Sequence, residues 1–192
     1  MGYLVYFTIA RADTFVNSPY NQRQDAFAKK VVRGDITDRN GNVLAQTDVA
    51  EDGTETRVYP YGSLFAHVIG YSDTELGKTG LESVENFELL TSNAFFVEKI
   101  QNEFNGTKNQ GDTVVTTLDA DLQQAAYDAL GDNKGAVVVL EADTGKILTM
   151  VSKPDYDPNN LAADWETLNT DEENSPLLNR ATNGSYAPGS VF

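Results

Sequence analysis

The chain has no cysteine and a single histidine, His67, in 192 residues. It can therefore form neither a disulfide nor a thiolate metal site, and one imidazole is too few for a histidine-rich metal centre. Basic residues are also scarce: 14 Lys and Arg stand against 29 Asp and Glu, a net charge of −15. A nucleic-acid binder needs clustered cations against phosphate, so that class is excluded. No apolar run reaches the roughly 20 residues that a membrane-spanning helix requires. The stretch Gly2-Tyr3-Leu4-Val5-Tyr6-Phe7-Thr8-Ile9-Ala10 is apolar, but Arg11 ends it and no basic n-region of a signal peptide precedes it. Two readings of it stay open: the last turns of a membrane helix with its tyrosines at the interface, or a buried strand or helix of a soluble domain.

What is present suffices for one to two domains with a real core: 40% hydrophobic residues, nine Tyr, nine Phe and one Trp. Val43-Leu44-Ala45 and Thr56-Arg57-Val58-Tyr59 read as strands around turns at Asn40-Gly41 and Asp52-Gly53. Leu64 to Ile69 reads as a short helix ended by Gly70, and Leu81 to Phe87 has helical spacing. A second unit is expected near Thr113, opening with a strand at Val114 to Thr117. Asp119 then caps a helix over Ala120 to Leu130, with Leu122, Ala125, Ala126, Ala129 and Leu130 on one apolar face. Ala136 to Leu140 and Ile147 to Val151 form the clearest hairpin, apolar nearly throughout, so both its faces call for cover. Residues 153–175 read as a loop, with Trp165 and Leu168 as anchors.

The pattern that carries chemistry lies at Ser190-Val191-Phe192, which fills the first three places of S-x-x-K. A serine hydroxyl needs a base to become a nucleophile. A lysine three residues on lies on the same helix face, within reach of it. Pro188-Gly189 lets a helix begin near Ser190, where unpaired N–H groups and the positive dipole end help an oxyanion. Taken alone, Pro-Gly-Ser is also an ordinary polar turn. Other short patterns lead nowhere. Arg33-Gly34-Asp35 is a strand-entry turn before it is an adhesion tripeptide. Asp143-Thr144-Gly145 sits in the hairpin turn, where Asp and Gly serve the backbone. Lys78-Thr79-Gly80 precedes the serine and lies in the wrong unit to be its K-T-G partner.

Taken in series, the segments resemble class B penicillin-binding proteins. Arg33-Gly34-Asp35-Ile36-Thr37-Asp38-Arg39-Asn40-Gly41 is similar to the first signature of that family's pedestal, and Gly80-Leu81-Glu82 to its G-L-E element. Thr116 to Gln123, Gly135 to Val139 with Thr144 to Leu148, and Ser152 to Asn159 follow in the family's order. Asn179-Arg180-Ala181 and Tyr186-Ala187-Pro188-Gly189-Ser190 complete it.

The resemblance implies an α+β fold: the end of a membrane anchor and a connector over 1–19, an elongated pedestal over 20–112, and the first part of a transpeptidase domain over 113–192. It implies a peptidoglycan D,D-transpeptidase with Ser190 as the acylated nucleophile, peptidoglycan stem peptides as substrates, β-lactams as acylating inhibitors and no metal or organic cofactor. It further implies a SEDS-type glycosyltransferase as partner and a single-pass location with the domains on the extracytoplasmic face of a bacterial membrane. The lysine, an S-x-N element and the true K-T-G are expected beyond Phe192, so these residues alone are expected to be inactive. The alternative is a non-enzymatic extracytoplasmic scaffold or binding module. Arg33, Asp38 and Arg39 are expected to be structural, and the hairpin to keep one apolar face exposed.

Overall fold

A computed structural model describes residues 31–92, 108–187 and Ser190; the apolar N-terminal stretch lies outside the described residues. In chain order the first strands are β1 (Val31–Val32), β2 (Ile36–Thr37), β3 (Val43–Val49) and β4 (Glu55–Val58). Strands β2, β3 and β4 run antiparallel through the two expected Gly-containing turns. A 3-10 turn (Gly62–Phe65) leads into α1 (Ala66–Ile69), then come a short hairpin of β5 (Ser72–Asp73) and β6 (Gly77–Lys78), and the helices α2 (Gly80–Val84) and α3 (Asn86–Leu89). Strands β7 (Asn109–Gln110) and β8 (Val114–Val115) then return to the start of the chain. β7 pairs in parallel with β1, and β8 in parallel with β2, which gives one sheet the order β4-β3-β2-β8.

Arg33-Gly34-Asp35 lies where these returns cross, not on an open loop. A Cβ on Gly34 would lie 2.0 Å from the Asp112 carbonyl oxygen, so only glycine lets the two backbones approach. Three residues on, the buried Asp38 carboxylate folds the next turn. Its Oδ1 accepts from the Asn40 and Asn42 backbone N–H groups at 2.8 Å each, and its Oδ2 from Asn42 Nδ2 at 2.9 Å. The same Oδ2 accepts from Ala120 N–H (3.2 Å), the first residue of the next long helix. Burial works against the charged carboxyl, but these bonds outweigh it and hold its pKa below the usual range. Arg33 and Asp38 are thus buried and engaged as expected. The Arg39 side chain is exposed, and that residue contributes a backbone bond, N–H to Leu118 O at 2.9 Å.

Helix α4 (Ala120–Leu130) begins and ends where the sequence sets it, with Asp119 Oδ1 accepting from Leu122 N–H at 3.1 Å. Its buried face differs from the expected one. Leu122, Ala125 and Ala129 are exposed, and Ala120, Gln123 and Ala126 are buried. The reason is a backbone demand. Gln123 Nε2 donates to Leu64 O (2.8 Å) and Met150 O (2.9 Å), and Gln123 Oε1 accepts from Met150 N–H (2.9 Å). Buried peptide groups must find partners, and one amide here satisfies three of them.

Strands β9 (Gly135–Leu140) and β10 (Ile147–Lys153) form the expected hairpin, with a register shift between Ile147 and Thr149. Thr149 and Val151 are buried, whereas Val138 and Leu140 on β9 are exposed. Residues 153–175 are not one loop. After a 3-10 turn (Pro158–Asn160), α5 runs over Leu161–Thr170. Leu161, Trp165 and Leu168 recur at i, i+4 and i+7, a helical stripe that packs on the core. The polar residues between them hid that period. A short helix, α6 (Arg180–Asn183), precedes the candidate serine. One continuous core joins Ile36, Leu44 and Ile69 of the first half to Leu118, Tyr156 and Leu161 of the second. Ile36, Leu44 and Ile69 are at most 1% exposed, each worth about 1.5–3 kcal/mol of burial.

Candidate active site

The serine segment is fastened before it is presented. At the end of β10, Ser152 Oγ accepts from Arg180 N–H (2.9 Å) and donates to Leu178 O (3.2 Å). Asn179 caps α6, its Oδ1 accepting from Ala181 N–H at 3.0 Å, while its Nδ2 donates to the His67 carbonyl at 3.1 Å. The Arg180 guanidinium closes the loop before the helix by donating to Ser175 O (3.1 Å) and to Asn174 O. After α6 the chain folds back. A Cβ on Gly184 would lie 2.5 Å from Arg180 O and 2.6 Å from the Tyr186 ring, so glycine permits this close return. Ser190 follows and is exposed to solvent. Pro188, Gly189, Val191 and Phe192 lie outside the described residues. No titratable side chain hydrogen-bonds to Ser190 among the described residues.

The lone histidine stands beside this segment as a satisfied core residue. His67 is buried, and its Nε2 bonds Pro176 O at 2.8 Å; a carbonyl only accepts, so that nitrogen carries the hydrogen. Burial lowers its pKa, outweighing the opposing pull of the Pro176 carbonyl and Asp155. Its ring meets Tyr156 edge-on at 5.4 Å. The Tyr156 hydroxyl donates to Ala66 O (3.1 Å), and burial pushes its pKa up to about 12. His67, Met150, Tyr156, Asn179 and Thr182 line a cavity of about 460 Å³ flanking α6.

A second polar cluster lies in the pedestal. Glu82 is wholly buried and takes Arg33 Nε at 2.6 Å and Arg57 Nε at 2.7 Å. Arg33 also bonds Asn86 Oδ1 (2.5 Å) and Glu82 O (2.6 Å), and Arg57 Nη1 reaches Gly34 O (2.8 Å). The Tyr59 hydroxyl donates to Glu82 Oε1 at 3.4 Å and accepts from Ser72 N–H at 2.8 Å. Burial and the nearby carboxylate both raise the Tyr59 pKa, and burial lowers that of Arg33. Both Glu82 carboxylate oxygens are engaged by guanidiniums, which suits a rigid frame rather than proton transfer, although Arg57 Nη2 is buried without a hydrogen-bond partner. No group of three or more His, Cys, Asp or Glu has the geometry to hold a metal ion among the described residues.

The sequence pointed to Arg33 and Asp38 as structural residues but gave no role to Glu82, Arg57, Gln123 or Asn159. Asn159 Oδ1 accepts from Tyr59 N–H (2.9 Å) and its Nδ2 donates to Tyr59 O (3.0 Å). Nothing in a local pattern tells which polar residue will clamp a backbone a hundred positions away.

Two family models match. The penicillin binding protein A dimerisation domain covers residues 33–114, and the penicillin binding protein transpeptidase domain covers residues 135–192. The peptidoglycan D,D-transpeptidase PbpA of Mycolicibacterium smegmatis is 42% identical over 199 residues, covering 94% of this chain and 40% of that protein. The peptidoglycan D,D-transpeptidase MrdA of Escherichia coli is 33% identical over 173 residues, covering 72% of this chain and 27% of that protein. Among solved structures, the imipenem acyl-enzyme complex of penicillin-binding protein A from M. tuberculosis superposes with a TM-score of 0.74 at 37% identity, covering 84% of this chain and 40% of that one. The D,D-transpeptidase domain of a peptidoglycan glycosyltransferase from Eggerthella lenta gives 0.72 at 40% identity, covering 85% and 35%. The chain thus spans 40% of the length of its mycobacterial relatives.

Proposed function

Because the chain belongs to the penicillin-binding protein family, with a dimerisation domain ahead of a transpeptidase domain, we infer that it is part of a serine D,D-transpeptidase that cross-links peptidoglycan. The observation that carries this reading is the pairing of the two domains in that order; an exposed serine, Ser190, in the first place of an S-x-x-K pattern supports it. The division into an anchor end and connector (1–19), a pedestal (20–112) and a transpeptidase portion (113–192) belongs to the same reading. So do the extracytoplasmic location and the SEDS-type partner.

In this mechanism the Ser190 hydroxyl attacks the carbonyl between the two D-alanines of a stem peptide. The hydroxyl proton passes to the general base that S-x-x-K chemistry calls for, and then to the leaving amine as the C–N bond breaks. D-alanine departs, and an ester links the stem to Ser190. An amine of a neighbouring stem attacks that ester, forms the cross-link and frees the hydroxyl. In this reading the Ser190 backbone N–H contributes to stabilising the oxyanion. A β-lactam follows the first half of the path: its ring C–N bond opens, and its carbonyl stays on the serine.

The test is covalent labelling. The full-length gene product, incubated with a fluorescent penicillin and digested, should carry the label on the peptide containing Ser190. Ser190→Ala should carry none. Label retained by a folded Ser190→Ala protein, or absent from the folded wild type, overturns the reading and leaves the scaffold.

A further inference from the structure

Asn179 uses both ends of its amide. The oxygen caps α6 and the nitrogen reaches the His67 carbonyl of α1, a residue 112 positions earlier. The receiving site is itself fixed. His67 Nε2 donates to Pro176 O, and the Ala66 carbonyl next to it accepts from the Tyr156 hydroxyl. Behind α6, Arg180 N–H is held on Ser152 of β10. Beyond α6, the tight return at Gly184 presses Tyr186 onto the helix end, six residues before Ser190.

We propose that Asn179 is a positioning residue for Ser190: it ties the segment delivering the nucleophile to the pedestal helix α1. This rests on the reading of Ser190 as nucleophile. An exposed serine gains its rate from being held within near-attack geometry, and a shift of about 1 Å can cost about a hundredfold. The residue type matters. The nitrogen faces a carbonyl, so the side chain must donate there while accepting at the helix start. Asparagine does both. Aspartate keeps the cap and sets an oxygen against the His67 carbonyl. Serine keeps the cap and is too short to reach α1.

The experiment uses Asn179→Asp, Asn179→Ser and Asn179→Ala in the full-length gene product. The acylation rate by fluorescent penicillin is normalised to titratable sites, so unfolded protein does not count. Asn179→Asp and Asn179→Ser keep the cap but orphan the His67 carbonyl, so they should melt modestly below wild type, acylate roughly tenfold more slowly, as the loss of one hydrogen bond with an orphaned partner allows, and show faster hydrogen exchange over residues 182–187. Asn179→Ala should melt lower again, having lost the cap as well. The rate of Asn179→Asp relative to wild type should rise as acid protonates the carboxyl and restores a donor, a signature that a purely structural role does not give. Wild-type rates with unchanged exchange in Asn179→Ser overturn the proposal. If the wild type is not acylated at Ser190, the functional reading falls instead. The exchange comparison then decides the Asn179 tie by itself, and equal exchange in wild type and Asn179→Ser overturns it.

Discussion

Asn159 grips both backbone polar groups of Tyr59, accepting from its N–H at 2.9 Å and donating to its C=O at 3.0 Å. The amide imitates one step of a β-ladder between residues a hundred apart. It stands where the end of the β3–β4 hairpin meets the turn before α5, so it joins the two halves of the molecule. Asn159→Ala should cost roughly 1–3 kcal/mol, because the Tyr59 N–H loses its partner in a buried place, whereas the Tyr59 carbonyl still accepts from Gly62 N–H at 2.9 Å. Asn160→Ala, next in the chain and exposed, should stay within about 0.5 kcal/mol. Urea unfolding of the two variants measures the difference.

Glu82 serves two guanidiniums with one carboxylate. Glu82→Ala should destabilise by roughly 3–5 kcal/mol, since it leaves two cations buried and unpaired. Replacing Arg33, Arg57 and Glu82 together by methionine should cost less than Glu82→Ala alone, because no charge is then left without a partner. Equilibrium denaturation at neutral pH compares them. A triple variant less stable than the single one would show that the hydrogen bonds to Gly34 and Asn86, not charge balance, set the cost.

Two groups give stability opposite dependences on their charged forms, and both lose it in acid. The His67 pKa lies below its unfolded value of about 6.5, so the unfolded chain takes up the proton first. Its contribution is constant above that pH, falls as pH drops through it, and levels off below the folded value. The Asp38 carboxyl is held below its ordinary range near 3.9, so its contribution is full above that value and fades as pH falls through the folded one. Thermal melts should show the first loss beginning near pH 6.5. His67→Gln, which keeps an amide donor for Pro176, should remove that step and leave the later acid loss in place.

Leu140 and Val138 occupy the exposed face of β9, opposite to the side on which Thr149 and Val151 are buried. Leu140→Lys should therefore leave the melting temperature nearly unchanged, within about 0.5 kcal/mol. Val151→Thr, a near-isostere that adds a hydroxyl in the core, should cost more, on the order of 1–3 kcal/mol. Calorimetry on the pair assigns the faces.

Where local physics sets the structure, it was legible in the sequence. The cap at Asp119, the helix to Leu130, the glycine turns and the hairpin all follow from adjacent residues. The candidate serine was picked out by a motif of fixed spacing, and covalent labelling is its test. What could not be read there depends on distant partners. Gln123 looks like a surface residue of an amphipathic helix until Leu64 and Met150 present unpaired peptide groups to it. Helix α5 was hidden by acidic and amide residues that suit a loop equally well; only the core contact of Leu161, Trp165 and Leu168 selects the helix. Arg57 read as one more strand residue because its partner, Glu82, is 25 positions away.

The parallel pairings of β1 with β7 and β2 with β8 also govern birth order. A ribosome releases Ile36 long before Val114, its neighbour in the sheet. The first strands must wait, with one edge open, through most of the pedestal's synthesis, and Tyr59 waits longer still for Asn159. Antiparallel β2, β3 and β4 can assemble early, whereas closure of the sheet is a late, long-range event of the slow kind. During that interval an open edge is a place for wrong pairing. A nascent chain arrested just before Val114 should therefore be the aggregation-prone species, and one extended past Leu161 the first that can hold itself shut.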